Sequence, residues 1–326
     1  MSKFNVTKFF NAARIISSWS YSTLTGLPVV WGYPFSVGIE LTNRCNLGCL
    51  ECAAGSGSMD RPAGFMSKEV FEKIIAQLGK HTINTMFYFQ GESMLHPLFF
   101  HFLSGARNMG VIISTNGHFI DSESAVKLAT SGARKIIVSL DGYSQEVYSK
   151  YRAGGDVNRV KEGIILLGRE VGKTRNAPQI VIQVLVNSYN EAEIGEIRRL
   201  AGDNNATLVL KSLQIISQSD RFSLLPSDEK YRRYSIKGGR LKRKGRLGNR
   251  CFRLWTNPVI TWEGSVVPCC FDKNAKYVMG NLQSESFTDI WRGQRYRDFR
   301  KKVLQNRAGI EICRNCTAGL AGTLPV

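Results

Sequence analysis

From residue 36 to residue 216 the chain alternates between two hydrophobic periods. Short apolar, β-branched runs at 36–42, 84–90, 111–115, 135–140, 180–187 and 207–216 read as strands. Between them, residues 67–80, 97–108, 121–131, 156–171 and 190–202 place apolar side chains at helical spacing. Ser67, Asp121 and Asn190 stand where a helix start wants a side-chain acceptor, each with an acid in the following turn. Gly110 and Gly132 follow the ends of their helices, where a left-handed residue is wanted. Six strands joined by five such helices predict parallel pairing through right-handed crossovers. The expected fold is therefore α/β, a partial TIM-like (β/α)6 barrel with its working residues at the strand ends.

Both flanks break this rhythm. Residues 1–34 hold no Asp or Glu, and Lys3, Lys8 and Arg14 are interleaved with Phe9, Phe10, Ile15, Ile16, Trp19 and Tyr21. Such an amphipathic segment either packs across the outside of the barrel or rests on an anionic membrane surface. Residues 217–250 lose periodicity at Gly238, Gly239, Gly245 and Gly248, and from Lys230 to Arg250 carry ten Lys or Arg and no acid. They read as a basic linker. Beyond them a short hairpin turning at Glu263-Gly264 is expected, then one helix from about Ser286 to Leu304 presenting Phe287, Ile290, Trp291 and Phe299. The chain thus divides into 1–34, 35–216, 217–250 and a small α+β domain at 251–326.

Composition narrows the setting. With 326 residues and 43% hydrophobic content the chain can bury a full core. No apolar run reaches the length of a membrane span. The eight cysteines are clustered at 45, 49 and 52, at 251, at 269 and 270, and at 313 and 316, unlike a disulfide framework. Metal ligation in a reducing cytoplasm is expected, with any membrane contact peripheral. The net charge of +18 calls for an acidic partner, and the run Arg240 to Arg246 suits steering of an anionic substrate, small molecule or peptide. Only Tyr231 and Tyr234 interleave with it, so a base-stacking nucleic-acid surface is not expected.

The chemistry centres on Cys45-Asn46-Leu47-Gly48-Cys49-Leu50-Glu51-Cys52, three thiols leaving the end of the first strand. Thiols so close in sequence can converge on one soft metal centre. A closed zinc site would need a fourth ligand that does not stand nearby. A 4Fe-4S cluster on three cysteines leaves one iron open to a further ligand. This C-x3-C-x2-C motif resembles that of the radical S-adenosylmethionine enzymes, with Glu51 where the family usually carries an aromatic residue. The resemblance implies that Gln90, Gly91 and Glu92 hold the amino group of S-adenosylmethionine, as a variant of a Gly-Gly-Glu-like motif. It likewise implies that Asn116, Ser139 and Asp141, at the third and fourth strand ends, and Arg152 line the same pocket. Ser139 and Asp141 would face the ribose or methionine, and Arg152 the methionine carboxylate. Plain turn residues and a solvated arginine are the alternatives. His81, His96, His101 and His118 lack ligand spacing and read as structural.

A second set, Cys251, Cys269, Cys313 and Cys316, supplies four thiols, the count for a closed site; spacing alone leaves a zinc ribbon equally open. Behind a radical-enzyme barrel the set is similar to the SPASM/twitch extension, and its short form implies one auxiliary 4Fe-4S cluster. Cys269 is the expected ligand, from its x4 spacing after Gly264, and Cys270 is either an alternate ligand or simply buried. The resemblance implies a flavodoxin or ferredoxin reductant, a 5′-deoxyadenosyl radical and hydrogen abstraction. Net oxidation of a small alcohol or sugar-like molecule is the favoured outcome, because about 35 residues before the barrel are too few for a leader-peptide recognition domain. Modification of a peptide or protein is the alternative, and a non-catalytic iron–sulfur scaffold the third reading.

Overall fold

The structure is a computed structural model that describes residues 6–216 and 221–318; Lys3, residues 217–220 and the last eight residues of the 251–326 domain lie outside them. Six strands, β1 (Ser36–Ile39), β2 (Asn84–Phe87), β3 (Val111–Thr115), β4 (Lys135–Ser139), β5 (Gln179–Val186) and β6 (Thr207–Ser212), pair in parallel in that order. Their outer face is covered by α2 (Lys68–Leu78), α3 (Phe99–Gly105), α4 (Ser122–Thr130), α6 (Val157–Lys173) and α7 (Ile194–Asp203). The barrel is thus the partial α/β barrel that the alternation predicts. Val37, Ile39, Phe87, Ile113, Ile136, Val138, Ile182 and Val184 are fully buried between sheet and helices. Each such side chain contributes about 1.5–3 kcal/mol by leaving water.

Local chemistry sets the boundaries. Ser67 accepts from the Val70 amide at the start of α2, and Asp121 closes a reciprocal capping box with Ser124 at α4. Gly110 is left-handed as expected, and a Cβ there would meet the Ile83 carbonyl at 2.4 Å. Asn190 departs from expectation: it makes no cap, and its amide instead donates to the Asp141 and Leu185 carbonyls. A seven-residue helix, α5 (Gln145–Tyr151), lies between β4 and α6 with no counterpart in the strand–helix pattern.

The N-terminal helix α1 (Val6–Thr25) lies across the barrel exterior. Asn11 fixes it, donating to the Tyr33 and His81 carbonyls and accepting the Tyr33 amide at 2.8 Å. Its other face leaves Phe10, Ile16 and Leu24 exposed.

Two regions differ from the sequence reading. The basic stretch 230–250 contains an antiparallel hairpin, β7 (Tyr234–Lys237) and β8 (Arg240–Arg243), turned by left-handed Gly238 and Gly239. Tyr234 and Leu241 pack it into a small cluster with Leu47 and Cys49, so the segment is docked structure and not a free linker. Farther on, α8 (Arg253–Thr256) leads to β9 (Val259–Ile260), β10 (Ser265–Val267) and β11 (Gly280–Asn281). The β9–β10 hairpin turns at Gly264 as expected, but β9 also pairs in parallel with β1, Gly38 opposite Val259. The barrel and C-terminal strands therefore form one nine-stranded sheet, ordered β11-β10-β9-β1-β2-β3-β4-β5-β6.

The expected single helix at 286–304 is two, α9 (Phe287–Arg292) and α10 (Gln294–Asn306), broken at Gly293. They enclose Arg300, 1% exposed, whose guanidinium lies 4.2 Å from the ring centres of both Trp291 and Tyr296. A last short helix, α11 (Glu311–Arg314), brings Cys313 back to the sheet end.

Candidate active site and its two groups of thiols

The first group is built by backbone constraint. Past β1, Thr42 Oγ1 donates to the Gly64 carbonyl (2.6 Å), and Asn43 bonds both the Pro62 carbonyl and the Gly64 amide. Gly64 lies against the Trp262 ring, where a Cβ would stand 2.5 Å from ring atoms. Buried Glu40 pairs with Arg61 at 2.6 Å and accepts the Trp262 amide, tying this loop to the C-terminal hairpin. Burial pushes the Glu40 pKa up, and Arg61 opposes that shift. Gly48–Cys49 pairs antiparallel with Arg152–Ala153, which draws the end of α5 onto the cysteine loop. Gly91 is left-handed, and a Cβ there would meet the Thr42 and Arg44 carbonyls at 2.6 Å. Phe89, before it, also holds a positive φ of 135°.

These constraints give each of the three thiols one pocket residue as neighbour. Gln90 Oε1 lies 3.9 Å from Cys52 Sγ, Asn116 Nδ2 3.9 Å from Cys45 Sγ, and Arg152 Nη1 3.9 Å from Cys49 Sγ. Glu92, buried, accepts the Asn116 amide (2.6 Å) and the Met94 amide (3.0 Å). Arg152 and Asp141, expected to serve the cofactor separately, are bonded to each other: Nε and Nη2 reach Asp141 Oδ2 at 2.8 and 2.7 Å. Asp141 also accepts the Leu185 amide. Ser139 is buried at the end of β4, opposite Gln183.

Sequence reasoning passed over the groups that hold this pocket. His118, read as structural, accepts the Asp156 amide through Nε2 and bonds Asn116 Oδ1 through Nδ1, setting the asparagine's orientation. Glu193 receives the Tyr143 and Ser144 amides and so fixes the loop after Asp141. Neither has a spacing signal; both act through contacts distant in sequence. His81 stacks on Tyr33 and His96 bonds the Met66 carbonyl, as structural histidines.

The second group is gathered from far apart. Cys251 precedes α8, Cys269 and Cys270 follow β10, and Cys313 and Cys316 flank the end of α11. Arg307, buried, donates through Nη2 to Cys316 Sγ (3.3 Å) and through Nη1 to the Arg250 carbonyl (2.6 Å). The Ala318 amide lies 3.3 Å from the same sulfur. Cys270 Sγ instead takes Arg253 Nη1 at 2.9 Å.

Burial, first among the causes, raises the pKa of five of the thiols: Cys49 to about 11, Cys313 to about 12, and Cys45, Cys269 and Cys316 upward. Thiolates here therefore need a positive centre. Among the described residues no three His, Cys, Asp or Glu side chains close on a point the size of one ion. Two sets of enclosed sulfurs, each set mutually interacting, suit clusters that take thiolates at separate corners.

Comparison with known proteins agrees with this chemistry. Residues 39–201 match the Radical SAM superfamily and residues 251–317 match SPASM, an iron–sulfur cluster-binding domain. The chain belongs to the radical SAM superfamily and carries a C-terminal SPASM domain. That membership brings S-adenosylmethionine, a 4Fe-4S cluster and auxiliary iron–sulfur ligation in the SPASM domain. Among relatives, a tungsten-containing aldehyde ferredoxin oxidoreductase cofactor-modifying protein of Pyrococcus furiosus is 26% identical, over 80% of this chain and 82% of its own length. The mycofactocin maturase of Mycolicibacterium smegmatis is 28% identical over 82% and 73%. The S-adenosyl-L-methionine-dependent 2-deoxy-scyllo-inosamine dehydrogenase of Niallia circulans is 23% identical over 85% and 90%. The fold is shared with BtrN in complex with AdoMet and 2-DOIA, at 22% identity, TM-score 0.52, covering 86% of this chain and 92% of that one. It is shared also with anSMEcpe with bound AdoMet, at 19% identity, TM-score 0.63, covering 89% and 90%.

Proposed function

We propose that this radical SAM enzyme oxidises a small alcohol or sugar-like molecule, with one auxiliary 4Fe-4S cluster as electron acceptor. The supporting observation is the pairing of each N-terminal thiol with a pocket residue, facing a second thiol set in cationic surroundings. In this reading Cys45, Cys49 and Cys52 hold the first cluster, and Gln90, Gly91 and Glu92 form the lip that receives the amino group of S-adenosylmethionine. Asn116, Ser139 and Asp141 border the remainder of that ligand, and Arg152, aimed by Asp141, offers Nη1 to its carboxylate. Cys251, Cys269, Cys313 and Cys316 hold the auxiliary cluster; Cys270 is left to Arg253. When bound, the first cluster and S-adenosylmethionine supply the 5′-deoxyadenosyl radical that abstracts hydrogen. The chain orients both ligands and keeps water from the radical. A flavodoxin or ferredoxin provides the electron.

Peptide modification is the second reading, favoured by the similarity to mycofactocin maturases. Reduced, oxygen-free protein is mixed with S-adenosylmethionine and either a polyol library or peptides encoded beside this gene. 5′-Deoxyadenosine with loss of two hydrogens from a polyol supports the first reading; a mass change confined to a peptide replaces it. No 5′-deoxyadenosine under any condition leaves only the scaffold. In this reading thiol ligation suits a reducing cytoplasm. The exposed face of α1 is the proposed point of peripheral membrane contact, and unchanged liposome co-sedimentation of Phe10→Ser/Ile16→Ser would remove it. Among the described residues no helix is long and apolar enough to cross a membrane.

A further inference from the structure

Near the second group of thiols stand four cations to which the proposed function assigns no ligand. Lys211 comes from β6, Arg233 precedes β7, Arg253 opens α8, and Lys273 follows Cys270. Arg233 is only 4% exposed, and its Nε and Nη1 have no hydrogen-bond partner. Cys52 of the first group and Cys270 of the second both act on the Lys273 ammonium, so it lies within reach of both groups. Burial lowers the Lys211 pKa, and Arg253 and Arg233 lower it further; Arg233 does the same to Lys273. Lys211 thus shares a partly dry space with Arg233 and Arg253, and Lys273 with Arg233, like charges that repel. Glu51 acts on Lys273 and also receives the Ile216 amide at 2.6 Å; thiols stand beside the others, Cys270 by Lys211 and Arg253 and Cys316 by Arg233.

Buried like charges are costly unless an opposite charge joins them. Two guanidinium groups and two ammonium groups suit a ligand with several acceptor oxygens and more than one negative charge. The planar Arg fork matches phosphate oxygens in pairs, and Lys adds point charges. A carboxylate would neutralise half as much as a phosphate dianion.

We propose that Lys211, Arg233, Arg253 and Lys273 seat a phosphate ester carried by the substrate, between the S-adenosylmethionine cluster and the auxiliary cluster. This rests on the reading of an active site between the two thiol groups. It narrows the substrate to a phosphorylated small molecule and gives the basic hairpin β7–β8 a separate task, attracting that anion from outside.

The test uses full-length, anaerobically reconstituted protein. Calorimetric titration with inorganic phosphate, glycerol 3-phosphate and a hexaglutamate peptide is run on wild type and variants. Both phosphates should bind, and Arg233→Gln and Lys273→Gln should each weaken them about tenfold or more, since each removes a charge-assisted contact. Lys242→Gln, on the exposed hairpin, should change affinity by less than about twofold at moderate salt. Iron content reports folding, and Lys211→Gln on the edge strand β6 decides the matter if Arg233→Gln loses iron. No phosphate binding by iron-replete wild type overturns the proposal, as does undiminished binding by the Arg233, Lys273 and Lys211 variants. Tighter binding of hexaglutamate with the same sensitivities overturns it in favour of an acidic peptide. 5′-Deoxyadenosine release, measured on the same samples without phosphate, separates the two readings. Release without phosphate binding sinks only the anion seat; binding without release sinks only the radical chemistry.

Discussion

The two thiol groups are opposites in how they are assembled and in the charge around them. The first lies within eight residues and is shaped by backbone: left-handed Gly91 pressed on the Thr42 and Arg44 carbonyls, and Gly64 under Trp262. The second is drawn from positions 251 to 316 and held by side chains, chiefly Arg307 and the packing of α9 and α10. Around the first group Glu92 and Asp141 add negative field and Arg152 positive. Around the second, Arg233, Arg243, Arg253 and Arg307 all add positive field. Cations stabilise the reduced, more negative state of a cluster, and anions oppose it. The proposed assignment would then divide the labour, with a reluctant electron holder on the first thiol group and a willing one on the second.

Removing ligands tests the comparison most severely. Two 4Fe-4S clusters give about eight irons per chain, and Cys313→Ala/Cys316→Ala should leave about four, all in the first group. Cys49→Ala should instead abolish 5′-deoxyadenosine formation altogether while retaining the auxiliary signal. Loss of both clusters from either variant would make the two groups one cooperative unit. Next comes Arg152→Gln, which leaves Asp141 buried without its cation; a cost of about 3–5 kcal/mol is expected in chemical denaturation. Gly91→Ala should cost about 1–3 kcal/mol and, by pushing on the Thr42 and Arg44 carbonyls, lower iron in the first group alone.

Subtler changes sharpen the electrostatic half. Arg307→Gln should lower the auxiliary midpoint potential in a redox titration and leave the first cluster's potential in place. An unchanged auxiliary potential would deny the arginines their role. The smallest effect is expected at Asp121, the exposed cap of α4, which touches neither group. Its carboxyl is held below the usual range by the Ser124 amide and hydroxyl. A carboxyl with a lowered folded pKa adds stability above its unfolded value, and that stability fades as pH falls through the folded one. Asp121→Ala should therefore cost about 1 kcal/mol at neutral pH, seen as a lower Tm, and progressively less below about pH 4. Neither cluster's potential should respond.

Much of this was legible in the chain because local pattern carried it. Six β-branched runs and capped helices gave the barrel, and x3 and x2 spacings gave the first thiol group. Helix α5 escaped because seven residues span too few turns to show a period, and Gly293 split a helix whose apolar positions run on smoothly. Strand β9 was visible as half of a hairpin, but its pairing with β1, some 220 residues away in sequence, leaves no local trace. The Asp141–Arg152 pair and the His118–Asn116 contact are likewise products of tertiary placement. Arg233 looked like one basic residue among ten; only its burial distinguishes it.

The ladder joining β9 to β1 bears on timing. The first thiol group leaves β1, and Cys269 of the second leaves β10, the hairpin partner of β9, so a continuous backbone ladder and not a hinge links those two points. Tunnelling over that span should be insensitive to solvent viscosity. A turnover rate that slows in glycerol would then report substrate entry or product departure.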